Sequence, residues 1–251
     1  MLIITADDYG KTAHATDSIL RCYAGKRITS ASAMVFMEDS ERAASLASNT
    51  GLEVGLHFNF TMPFSGPGIK ASLRRHQEKV IPWLTGSRFA QVLYHPLLAE
   101  SFAVLFRAQM DEFKRLYGHT PAFLNGHHHM HLCANVLAGR LIPGGARVRN
   151  TFTFEPGEKD PLNRLYRRLI NGIVSSRYLT TDRFYSIQPL RERERLFRIL
   201  ASSREEDVEI EVHPENAEEL AFLTGGGLGE MLRGIPMGAF RQLGSKQVIQ
   251  S

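Results

Sequence analysis

Four short stretches carry residue types that can do chemistry together: Asp7-Asp8, His57 with Asn59, His127-His128-His129-Met130-His131, and Glu211 with His213. A carboxylate and two imidazoles that leave a coordination position open make a catalytic metal site, which binds and activates water. A second carboxylate beside the ligands is then a general base for that water. A further histidine on the opposite side is a proton donor to the leaving group. Four histidines in five positions read as metal binding. The other elements have plainer readings when taken singly. Paired aspartates after a strand also serve as turns and helix caps, and a lone strand-end histidine is usually a satisfied polar residue. What joins them is a common place at the C-terminal ends of predicted strands, the edge where parallel α/β folds build sites. Spacing alone leaves open which of His127, His129 and His131 is a ligand. No GxSxG elbow competes, neither cysteine has a recognisable catalytic context, and Gly225-Gly226-Gly227 lacks the form of a phosphate loop.

The elements that must position these residues follow from hydrophobic patterning. Apolar runs at 2–6, 32–37, 54–58, 122–126 and 208–213 predict strands, with weaker ones at 147–150 and 184–187. Helical spacing predicts helices over 16–25, 40–48, 99–117, 161–174 and 190–202. Residues 62–97 carry Pro63, Gly66, Pro67, Gly68, Pro82 and Gly86, and read as an elaborated loop with short helices rather than scaffold. This loop leaves directly from the His57 strand. It holds Phe64, Phe89 and the single tryptophan, Trp83, flat surfaces of the kind that pack on sugar rings. A satellite core role for Trp83 is the competing reading. Strand–helix alternation along the whole chain implies an α/β fold with a mostly parallel sheet, either a (β/α) barrel or an open doubly wound sheet. With no composition break and no repeat, the expectation is one domain over 1–251.

Composition sets the outer bounds. The 251 residues are 43% hydrophobic and 22% charged, ordinary globular values that exclude disorder. Cys22 and Cys133 cannot build a disulfide framework, which points to a reducing, cytoplasmic setting. The first residues are too short and uncharged for a signal segment, and no apolar run is long enough to span a membrane. A soluble protein without stable membrane insertion is expected. The formal charge of +4 is mild and much of it comes from residues 164–204. Arg167–Arg168 and Arg191, Arg193 and Arg195 have the chemistry to touch phosphate or lipid. Alternation with Glu192 and Glu194 favours a solvated helical face instead, and nucleic acid is not an expected partner.

The motif set resembles a known family. Ala6-Asp7-Asp8-Tyr9-Gly10, Gly55-Leu56-His57-Phe58-Asn59-Phe60-Thr61, the histidine run and Glu211-Val212-His213-Pro214 occur in the order seen in YdjC-type carbohydrate deacetylases, which include chitooligosaccharide and hopanoid-biosynthesis deacetylases. Glu219-Leu220 with Leu223-Thr224, and Met237-Gly238-Ala239-Phe240-Arg241, extend the likeness over almost the full chain. The resemblance implies a distorted (β/α) barrel that hydrolyses N-acetyl groups of amino sugars with one divalent metal ion, Mg²⁺ or Zn²⁺. It implies Asp8, His57 and His127 as ligands, Asp7 as general base and His213 as proton donor or orienter. Asn59, Trp83 and His129 are the expected substrate-binding residues. Asn125 stands where many relatives have an aspartate.

The expected substrate is a small amino sugar, an oligosaccharide or a glycolipid, and a homodimer is left open. Two other readings compete: a metal-dependent hydrolase of another kind, such as a phosphoesterase, on the same barrel, and a metal- or sugar-binding protein without catalysis. Retention of both Asp7 and Asp8 disfavours the last, because binding alone needs only one of them.

Overall fold

Apolar residues surround Thr5 at the N-terminus, and such a run stays dry on both faces only as an interior strand. The computed structural model, which describes residues 1–87, 89–154, 158 and 160–244, places it so: β1 (Leu2–Tyr9) is buried at every position. The strand continues three residues past the apolar run and carries Asp7 and Asp8 within it. Helix α1 (Ala13–Ala24) comes next, and among the described residues five further strands follow: β2 (Ser30–Ala33), β3 (Glu53–Phe58), β4 (Leu124–Gly126), β5 (Arg183–Ser186) and β6 (Val208–Val212). Hydrogen-bonded neighbours run β4-β3-β2-β1-β6-β5, and the β1–β6, β3–β4 and β5–β6 pairs are parallel. The class is α/β, as expected. Among the described residues the sheet has six strands in a row, where a complete (β/α) ring would have eight.

The chain divides into two compact units, Met1–Asp7 with Asp17–Ala31 and Gly145–Ser251, and Asp8–Thr16 with Ser32–Gly144. In the first, β1 pairs with β6 in the register Ile3↔Glu209 and Thr5↔Glu211. Side chains alternate along a strand, so Glu209 and Glu211 share a face of β6. Helices α6 (Pro161–Ser175), α7 (Arg193–Ser202), α8 (Ala217–Thr224) and α9 (Gly226–Met231) belong to this unit.

In the second unit, α2 (Ser40–Ser48) and α4 (Ala99–Tyr117) keep the bounds that their periodicity predicts. Phe58 stacks on Phe106 with ring centroids 4.4 Å apart, and Phe60 lies 5.4 Å from Phe102. These rings pin the end of β3 against α4, next to His57. The short α5 (Ala134–Ala138) follows the histidine run.

Three expectations need correction. Residues 71–86, read as part of an elaborated loop with short helices, form one continuous helix, α3 (Ala71–Gly86), with Pro82 inside it. A proline removes one backbone donor and usually breaks a helix. Here Leu73, Gln77, Val80 and Leu84 are buried at 4-3-4 spacing and hold the helix together across it. Residues 147–150 form no strand; Arg147 bridges to Leu179. The stretch predicted as a strand over 32–37 ends at Ala33, and Phe36 takes a left-handed φ of 62° that no strand continues through.

Candidate active site

β1 ends by sending two adjacent carboxylates to different partners. In a regular strand Asp7 and Asp8 face opposite ways. Asp8 departs further, with a φ of 70° that few residues other than glycine adopt, aspartate among the exceptions. Gly10, at φ 82°, completes the turn; a Cβ there would lie 3.1 Å from the Met34 carbonyl.

Asp8 Oδ1 lies 3.4 Å from His57 Nε2 and 3.2 Å from His127 Nδ1. Ligand atoms of these three residues all fall within 4.8 Å of one another, and the structure thus brings together the three expected ligands. Lys11 Nζ holds the other oxygen, Oδ2, at 3.0 Å. Burial alone pushes the Asp8 carboxyl up, but the polar pull of the His127 and His57 imidazoles and of the Lys11 ammonium outweighs it and holds the group well below the usual carboxylate range.

The position of His57 is set by strand pairing, since His57 and Asn125 are directly opposed on β3 and β4. Asn125 Nδ2 donates to Ser32 Oγ at 2.7 Å, which turns its Oδ1 toward His57 Nδ1 at 2.8 Å. An amide oxygen only accepts, so the proton of His57 sits on Nδ1 and the Nε2 lone pair faces Asp8. Two lone pairs 3.4 Å apart cannot bond to each other, and Asp8 Oδ1 is buried without a hydrogen-bond partner. A cation between them satisfies both. Donor chemistry and geometry therefore fit a metal ion with imidazole and carboxylate ligands. His127 opens a 3-10 turn (His127–Leu132) in which His128 and His129 have φ of 52° and 59°. Gly126 makes that fold-back possible, because a Cβ there would lie 2.9 Å from the His131 amide.

Asp7 has a different environment. Arg149, fully buried, donates from Nη1 to Asp7 Oδ2 at 2.5 Å and from Nη2 to Oδ1 at 2.9 Å. The same guanidinium donates to Glu209 Oε1 at 2.7 Å and Glu211 Oε2 at 3.3 Å. Burial pulls the Arg149 pKa down, but the three carboxylates more than reverse it and keep the side chain charged. Burial, offset in part by Arg149, raises Glu209 and lifts Glu211 well above the ordinary range. Sequence reading missed Arg149 and Lys11. The available signal was Val208-Glu209-Ile210-Glu211-Val212: two glutamates on one face of a strand buried on both sides require a cation.

The remaining expected residues are placed as follows. His213 follows β6, and its backbone N–H donates to Glu219 Oε2 at 2.6 Å. The Asn59 side chain is buried and spent on its own turn, accepting from the Thr61 and Met62 amides and donating to the Met62 carbonyl. Trp83 lies on α3, half-buried, edge-on to His95 with centroids 4.6 Å apart. Among the described residues its Nε1–H has no acceptor. His129 is half-buried.

Known proteins are similar to this chain to different extents. A carbohydrate deacetylase of Danio rerio is 30% identical over 138 residues, 54% of this chain and 43% of its own. A chitooligosaccharide deacetylase of Proteus mirabilis is 32% identical over 134 residues, 53% of this chain and 50% of its own. A mouse carbohydrate deacetylase is 28% identical over 167 residues, 63% and 51%. The chain thus spans about half the length of the curated relatives it matches. A solved structure from Enterococcus faecalis, named as a candidate cellobiose-phosphate cleavage protein, superposes with a TM-score of 0.67 at 20% identity, covering 96% of this chain and 97% of its own. That likeness is one of fold. The model of the YdjC-like protein family matches residues 1–233, so it takes in the aspartate pair, His57, the histidine run and His213, and the chain belongs to that family.

Proposed function

We propose that this protein is a metal-dependent carbohydrate deacetylase that hydrolyses the N-acetyl group of an amino sugar. The observation that carries the reading is the buried, unpartnered Asp8 Oδ1 between two imidazole nitrogens. A divalent ion such as Mg²⁺ or Zn²⁺, bound by Asp8, His57 and His127, supplies Lewis-acid polarisation and acidifies water. Asp7 takes a proton from the attacking water. Arg149, through its paired hydrogen bonds, fixes the direction from which Asp7 does so. His213 returns a proton to the departing amine, and acetate and the free amino sugar leave. Names of relatives that act on carbohydrate or chitooligosaccharide support the substrate class.

In the same reading Asn59 shapes the substrate floor through its turn, Trp83 and His129 meet the sugar, and residues 1–251 act as one catalytic domain. Among the described residues no helix is long and apolar enough to cross a membrane. The cytoplasmic setting rests on Cys22 and Cys133, free and buried, with both thiols pushed by burial up to about 11.

Acetate release, screened across N-acetylglucosamine oligomers and lipid-linked amino sugars with and without a chelator, tests the proposal. Chelator-sensitive release is the expected result. Turnover of phosphate esters with no acetate from any sugar would move the assignment to a phosphoesterase.

A further inference from the structure

Helix α6 turns its oily side outward. Leu162, Leu165, Tyr166, Leu169 and Ile173 fall at i, i+3, i+4, i+7 and i+11, one stripe along about 17 Å of helix, and are exposed by 37% to 78%. Of the fifteen residues only Val174 is buried. The helix carries Arg164, Arg167 and Arg168 and no acidic residue. Beside it lies a cavity of about 200 Å³ lined by those three arginines with Arg183, Phe152 and Phe154. Arg167 sits 4.8 Å over the Phe154 ring, and Arg183 pairs with Glu206. Among the described residues Arg164 and Arg168 have no acidic partner. Asp182, also on the wall, accepts from the Asp207 amide.

We propose that α6 is an interfacial docking helix for an anionic lipid surface, its stripe entering the headgroup boundary and its arginine-lined cavity taking lipid phosphate. A strong apolar face beside a basic one, on a helix too short and too charged to span, is the pattern of helices that lie in that plane. Charge decides against a second copy as the occupant. Paired α6 helices would set arginines against arginines with no glutamate to answer them, whereas self-pairing helices flank their seam with both signs. Residues 191–198 differ in this respect, since Glu192 and Glu194 interleave with their arginines. The proposal stands independently of the deacetylase reading.

Co-sedimentation of the full chain with vesicles tests it. Binding to phosphatidylcholine mixed with phosphatidylserine, little to phosphatidylcholine alone, and loss with rising salt are expected. Arg164→Glu with Arg168→Glu should weaken binding more than about tenfold. Leu165→Glu with Leu169→Glu should abolish it, with melting temperatures unchanged for both pairs. Equal binding to neutral vesicles, or none to either, overturns the proposal. So does an oligomer, seen by sedimentation velocity without lipid, that the leucine variant dissociates. Saturable binding of inorganic phosphate with no vesicle binding overturns it in favour of a free-anion site.

Discussion

Asn125 Oδ1 and His57 Nδ1 lie 2.8 Å apart across the β3–β4 ladder, and Ser32 prevents the amide from turning round. The asparagine amide thus orients the His57 ring, with its oxygen held toward Nδ1. Asn125→Leu should lower affinity for a divalent ion about 10- to 100-fold, whereas Asn125→Asp should retain it. Calorimetric metal titration reads both. Unchanged affinity in the leucine variant would show that strand geometry alone holds His57.

Ligand loss and base loss should separate. His57→Ala and Asp8→Ala are expected to lose bound metal, measured by elemental analysis of the purified protein. Asp7→Asn is expected to keep the metal and lose about 10²- to 10⁴-fold in turnover. Near-full kcat in Asp7→Asn would remove Asp7 from the role of base.

The Arg149 cluster makes a stability prediction with a sign. Arg149→Met strands buried carboxylates and should cost about 3–5 kcal/mol, seen in chemical denaturation. For Glu209 and Glu211 the folded pKa is raised above the unfolded value near 4.5, so the native state holds protons that the unfolded chain releases. Their contribution is fully present below that value and is lost as pH rises through the folded pKa. Glu211→Gln should flatten this decline. A melting temperature in that variant with the same pH slope as the parent, from pH 4.5 upward, contradicts the account.

Trp83→Ala distinguishes a substrate wall from a core filler. A raised KM at constant melting temperature supports contact with the sugar. A large drop in melting temperature with KM unaltered in the surviving protein assigns Trp83 to packing alone.

Much of the fold is legible in the sequence where one physical signal dominates. The apolar run at 2–6 and the long periodic stretch at 99–117 have single solutions. Residues 62–97 do not, because seven proline and glycine breaks conceal a buried stripe of Leu73, Gln77, Val80 and Leu84 that outweighs Pro82. The candidate ligands are visible as histidines and an aspartate at strand ends. Arg149 is not, because it sits in an aperiodic stretch and its role depends on carboxylates 60 and 142 residues away.

The Lys11 contact bears on denticity. With its ammonium 3.0 Å from Oδ2, the Asp8 carboxylate has one oxygen to offer a cation, not two. Lysine and aspartate also cancel in formal charge, so an ion gripped here by two neutral imidazoles keeps most of its own. A grip of that kind trades tightness of binding for electron-withdrawing strength toward whatever small molecule shares the ion.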